Sequence, residues 1–232
     1  CTTNLLLHGI DVPSQAHHRN TLAVGWNDWS HEQRVDCVIT NPPFGGMEDE
    51  GSGNDYPSDL RTRETADMFI ALIVKKLLKE GGRAGVVLPD GFLFGDGIKG
   101  RIKELLLDQC NLHTIVRLPN GVFAPYTGIK TNLLFFTKGK PTETIWFYEH
   151  PYPPAYKSYS KTKPIRIEEF TEGENCEKAW WGREENGFAE RIESERAWKI
   201  DFKSIKAEAK AHAQPHWDQA EALANQAAAL DN

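Results

Sequence analysis

Residues 35–46 read VDCVITNPPFGG. A short β-branched run ends abruptly in an asparagine, two prolines and a phenylalanine. Asn41 contributes a neutral amide oxygen. Pro42 and Pro43 fix φ and remove two N–H donors, so the chain offers carbonyl acceptors and no competing donors. Each proline also pushes the residue before it out of the α region, which makes the corner stiff and extended. Phe44 adds a flat apolar face. This set suits a planar aromatic amine, whose lone pair is delocalised into its ring and is therefore a poor nucleophile. The Asn41 side-chain oxygen and the Pro42 carbonyl could hold the two amine hydrogens and favour a pyramidal nitrogen. Positive charge growing on that nitrogen would be stabilised by an amide oxygen and a π face. Phe44 would stack on the ring, as aromatics do with bases taken out of a helix.

The position of the corner fits that chemistry. Residues 35–40 are a strand, and ligands of open α/β sheets bind beyond the carboxyl ends of strands. Residues 45–64 have no periodicity and read as a long loop of the kind used for lids. Residues 66–80 place Met68, Phe69, Leu72, Ile73, Leu77 and Leu78 at helical spacing, with Lys75, Lys76 and Lys79 near the end and Gly81-Gly82 as a stop. Residues 83–88 form the next strand, 99–109 an amphipathic helix, and 113–118, 131–137 and 144–148 further strands. The alternation predicts a mainly parallel α/β sheet. The closeness of TNLLFFT to ETIWFY suggests a hairpin at one edge. Residues 1–8 read as a helix end closed by Gly9.

Hydrophobic residues make up 40% and charged residues 26%, which places the chain among globular proteins. No apolar run approaches the ~20 residues that span a bilayer. Cys1, Cys37, Cys110 and Cys176 are too far apart for a zinc set, and together with His17 and His18 they give no metal site. Dispersed thiols point to a reducing, cytoplasmic setting. The net charge of −6 argues against a self-sufficient nucleic-acid binder. All of that excess lies in residues 165–232, which hold nine Lys and Arg against fifteen Asp and Glu. The sequence therefore divides into a first part at residues 1–149, a Pro- and Tyr-rich linker at 150–165, and an acidic, mainly helical extension at 166–232. The extension carries Trp180, Trp181, Trp198 and Trp217 and ends in an Ala-rich helix over 216–230 that follows Pro215.

NPPF after a strand resembles the catalytic motif of N6-adenine methyltransferases that use S-adenosylmethionine. NLLLHGI, NTL, NPPFGG, ADMFIALIVKKLLKEGGRAGVVLPDGFLF and LPNGVFAPYTGIKTNLLFF together resemble one branch, the modification subunit of type I restriction–modification systems. That resemblance implies a Rossmann-like methyltransferase sheet, mostly parallel with an antiparallel edge. It implies methyl transfer from S-adenosylmethionine to a flipped adenine in DNA, alongside a specificity subunit and a restriction subunit, with the 166–232 region as a docking piece. Asn41, Pro42, Pro43 and Phe44 would be catalytic. Phe123 or Tyr126 would stack on the base, and Lys130 in the TGIKT turn with Gly128 would meet phosphate. Asn20, Leu22, Ala66, Asp67 and Phe69 would line the cofactor. An rRNA adenine or protein glutamine methyltransferase, or a non-catalytic subunit with the same fold, remain the alternatives. The family's Gly-rich cofactor turn is not found, and the chain opens without Met inside a helix. Both features suggest a fragment.

Overall fold

The computed structural model describes residues 2–10, 16–44, 46–48, 53–171 and 188–230. Six strands form one sheet: β1 (Val35–Thr40), β2 (Leu78–Pro89), β3 (Cys110–Arg117), β4 (Thr131–Lys138), β5 (Thr144–Glu149) and β6 (Ala197–Asp201). Their order is β1-β2-β4-β3-β5-β6. β1 pairs parallel with β2, and β3 with β5. β4 is antiparallel to both its neighbours, and β6 to β5. So β1, β2, β3 and β5 run one way, as a Rossmann-like sheet requires.

Two details of the sheet differ from the sequence reading. The expected hairpin of TNLLFFT with ETIWFY does not form, because β4 lies inside the sheet and β5 on the far side of β3. The cause is the 139–143 connection. Thr142 is buried, its hydroxyl donates to the Cys110 carbonyl at 2.7 Å, and it accepts from the Leu112 N–H at 2.8 Å. This stitches the connection across the start of β3 instead of turning it back on β4. The antiparallel edge does exist, but it is β6, drawn from the region expected to be mainly helical. Trp198 of β6 stacks on Phe147 of β5, with centroids 5.6 Å apart.

The helices are α1 (Thr2–Leu7), α2 (Thr65–Leu72), α3 (Asp90–Phe94), α4 (Ile98–Gln109), α5 (Glu168–Thr171) and α6 (Phe202–Leu230). Gly9, after α1, has φ +81°, a conformation open to glycine. α2 is buried nearly all round and continues as a π turn over Ile73–Leu77. The expected helix over 66–80 therefore stops early. The Leu78 N–H bonds back to the Ile73 carbonyl, and Leu78 itself is extended and wholly buried. α2 and α4 pack against the sheet through Met68, Ile70, Leu72, Ile102 and Leu106, which join Leu88, Leu134 and Phe136 in one core. Cys110 sits in this core, and burial pushes its thiol up to about 12.

α6 begins well before the expected 216–230, and Pro215 lies inside it. The start is set by Asp201, whose carboxylate accepts from the Ser204 N–H at 3.0 Å and the Ser204 hydroxyl at 2.7 Å. Beyond Phe202, residues 203–223 are almost entirely exposed, Trp217 among them. Trp180, Trp181 and Cys176 lie outside the described residues.

Candidate active site

The β1–β2 ladder ends at Thr40, opposite Val86. Residues 41–44 thus leave the sheet at the carboxyl end of the parallel strands, with the Pro42 carbonyl outside the ladder. Asn41 is exposed, and its side chain makes no hydrogen bond among the described residues. Pro42 is buried and anchors the corner, Pro43 is exposed and Phe44 half-buried. The Phe44 ring meets Phe123 edge to face, with centroids 5.5 Å apart and an interplanar angle of 77°. Gly45 lies outside the described residues.

The chain then turns back towards α2. The Gly46 carbonyl accepts from the Thr65 N–H at 3.1 Å, and the Glu48 N–H donates to the Arg63 carbonyl at 3.0 Å. The Arg63 guanidinium returns to the Glu48 carbonyl. The described part of the expected 45–64 loop is therefore anchored rather than patternless. Tyr56 and Leu60 are buried, and Tyr56 packs on Trp26 with centroids 4.4 Å apart.

Phe123 belongs to the connection from β3 to β4. Gly121 in this connection has φ +79°, and a Cβ there would stand 3.1 Å from the Tyr159 carbonyl oxygen. Only glycine lets the segment around Tyr159 press so closely. The Tyr152 hydroxyl donates to the Asn120 carbonyl at 2.9 Å, so residues 151–160 buttress the connection that carries Phe123. Tyr126 is 91% exposed. Lys130 is exposed, and its carbonyl accepts from the Asp90 N–H at 2.9 Å.

The residues expected to line a cofactor fall into two groups. The Asn20 side chain accepts from the Leu22 N–H at 3.0 Å and donates to Glu48 at 3.4 Å. The Thr65 hydroxyl also reaches Glu48, at 3.5 Å. Asn20, Glu48 and Thr65 thus converge behind the corner, with Leu22 buried beneath. Asp67 is different. Both of its oxygens accept from Lys99 Nζ, at 3.0 and 2.9 Å, and Lys99 also holds Glu64 at 2.6 Å. Burial raises the Asp67 carboxyl above its ordinary value. Lys99 is half-buried, which would lower it, yet the two carboxylates hold its ammonium above the usual range. Gly95 makes room for this lysine, since a Cβ there would fall 2.1 Å from Lys99 Cδ. Ala66 is buried and Phe69 half-buried, packed on the core. Sequence reasoning missed Glu48, Thr65 and Lys99. Their partners are distant in sequence, so no local pattern marks them.

Among the described residues no three His, Cys, Asp or Glu side chains gather as a metal site. No helix among them is long and apolar enough to cross a membrane.

Comparison with known proteins agrees with this arrangement. The N-6 DNA Methylase family matches residues 1–216. The chain is 58% identical over 205 residues to the type I restriction enzyme EcoEI methylase subunit of Escherichia coli, covering 88% of this chain and 40% of that protein. A structure from work on complex assembly and conformational transition of the type I R-M system superposes with a TM-score of 0.76 at 40% identity, covering 88% of this chain and 41% of the other. The type I restriction enzyme EcoKI M protein gives 0.62 at 29% identity, covering 88% and 48%. The chain spans about two fifths of the length of the curated relative, 40%. With the NPPF corner at its strand end and a family match over most of its length, the chain belongs to the N-6 DNA methylase family.

Proposed function

We propose that this chain is part of the catalytic domain of a type I modification subunit and transfers a methyl group to N6 of an adenine flipped out of DNA. One observation carries the reading: an exposed Asn41 amide without a hydrogen-bond partner among the described residues lies three residues before Phe44, whose ring meets Phe123 edge to face. The Asn41 side-chain oxygen and the Pro42 carbonyl accept the two N6 hydrogens, which pyramidalises the nitrogen and frees its lone pair. Positive charge grows on N6 as the new C–N bond forms, and the two acceptors and the Phe44 face stabilise it. No base is required before transfer, because the surplus proton leaves to water afterwards.

S-adenosylmethionine supplies a methyl on a positively charged sulfur. The donor would lie near Gly46, which packs so closely on Thr65 that an added Cβ would come within 2.9 Å of Thr65 Oγ1. Glu48 and Asn20 would hold its polar groups, and Leu22, Ala66 and Phe69 would form the apolar floor. Asp67 would act by fixing the start of α2 through Lys99. Residues 1–149 carry this chemistry, 150–165 brace the Phe123 connection, and within 166–232 β6 completes the sheet while the exposed α6 docks a partner. A separate specificity subunit would read the DNA sequence, and a restriction subunit would join the same assembly.

The test is transfer of labelled methyl by the full-length subunit with its partners. Label on adenine N6 of duplex DNA is expected, and label only on RNA or protein overturns the reading. Phe123 rather than Tyr126 is the second stacking ring. Phe123→Ala is expected to weaken DNA binding by about tenfold, the worth of roughly 1–3 kcal/mol of base stacking. Tyr126→Ala should change it less than about twofold, since surface substitutions of this kind stay within ~0.5 kcal/mol.

A further inference from the structure

The connection that carries Phe123 has a second side. Leu118, Pro119 and Asn120, together with Lys130, wall a cavity of about 340 Å³ that does not include the NPPF corner. Its other walls come from the ends of β2, β3, β4 and β5, through Asp90, Arg117, Asn132 and His150. In the sheet, Asn132 on β4 stands two strands from the strand that delivers Asn41. At about 4.8 Å per strand that is on the order of 10 Å, a reach of a few nucleotides.

Two residues that line the cavity carry buried acceptors without a partner among the described residues. Asn132 is 1% exposed, and its Nδ2 donates to Asp90 at 2.9 Å. Asp90 accepts only, which fixes the amide orientation and leaves Asn132 Oδ1 as the free end. That oxygen has no hydrogen-bond partner among the described residues. His150 is 2% exposed, and its Nε2 lies 3.3 Å from Glu169 Oε2. Glu169 is also held by the Tyr159 hydroxyl and by the Arg166 N–H. A carboxylate that only accepts requires Nε2 to carry the proton, so His150 Nδ1 presents a lone pair. Burial favours this neutral form. Nδ1 likewise has no partner among the described residues. Buried acceptors of this kind are costly unless a donor reaches them. Cations complete the cavity. Arg117 is partly exposed, 3.7 Å from Asp90, and Lys130 stands at the rim.

We propose that this cavity is a subsite for a second nucleotide of the DNA, close to the methylated adenine. Its base edge donates N–H groups to Asn132 Oδ1 and His150 Nδ1, and its phosphate lies against Lys130 and Arg117. Adenine, cytosine and guanine carry an exocyclic amine and thymine does not, so the subsite favours the amino bases. This rests on the reading of DNA as the substrate.

The test uses the full-length subunit in its assembled methyltransferase. Duplexes with a single abasic position on either side of the target adenine are compared for wild type and Asn132→Leu. A specificity subunit reads the same bases, so the coupling between the two changes is the readout rather than either loss alone. One position is expected to raise KM for DNA about tenfold in wild type and to have no further effect in the variant. Lys130→Ala, at an exposed position, should lower the slope of log K against log salt by about one. The subsite is overturned if every abasic position acts additively with Asn132→Leu while the salt slope of Lys130→Ala is unchanged; the cavity then holds water. If Asn132→Leu fails to fold, the salt slope and thymine-for-amino-base substitution in the wild type decide alone. Failure here, with Asn41→Ala still abolishing transfer, leaves the adenine reading standing. Absence of any transfer to DNA overturns both.

Discussion

Asn41→Ala in the full-length subunit is expected to lower methyl transfer by ~10²-fold or more, the usual effect of removing one acceptor or donor that acts on developing charge. DNA binding should stay within a few-fold, because a single exposed amide adds little to the ground state. Stability should move by less than about 0.5 kcal/mol, since the side chain is exposed and holds no other group in place. The measurement is single-turnover transfer at saturating DNA and cofactor, with a melting curve alongside. Transfer that persists within a few-fold would show that Asn41 is only a turn residue. A matching loss of stability would show that the corner is structural.

The second large effect concerns Lys99. Its side chain is 15% exposed and that of Asp67 2%, so Lys99→Met leaves a buried carboxylate without a counter-charge. Breaking a buried pair from one side costs about 3 kcal/mol, the lower end of the usual range, because Lys99 keeps some contact with solvent. The sign with pH follows from burial. A carboxyl raised above its unfolded value stabilises the fold at low pH, and that contribution is lost as pH rises through the folded value. In the variant the lysine no longer opposes burial, so the deficit against wild type should shrink towards about pH 4 and grow towards about pH 8. Denaturant midpoints at the two pH values check this. The double change Lys99→Met with Asp67→Leu should recover most of the loss. A constant deficit across pH would mean that Asp67 is protonated in the wild type as well.

The NPPF corner was legible because its constraints are local. Proline acts on its own φ and on its neighbour, whatever the fold. The strands were legible from β-branched and apolar runs, and their order was not. β4 reads as a plausible hairpin partner for β5 until the buried Thr142 hydroxyl is seen to tie the connection to β3. Helix α6 was cut at Pro215 because proline commonly opens helices. Asp201 and Ser204 held the true start signal, but it sat in a charged stretch without a strong apolar stripe. The contact of Phe44 with Phe123 and the pairing of Asp67 with Lys99 join distant segments, and neither residue type nor spacing announces such partners. Between Phe123 and Tyr126 the sequence offered no choice. Their exposure supports Phe123.

β1 has a hydrogen-bonded neighbour on one side only among the described residues, and apolar side chains stand uncovered on it: Ile39 is 86% exposed and Val35 42%. An open, greasy margin of this sort templates whatever extended chain it meets. Alone in solution, the chain is expected to associate with itself through that margin and to come off a sizing column as soluble aggregates. The same strand ends in Asn41. On the proposed reading, the reacting amine would therefore be gripped from an edge rib of the sheet.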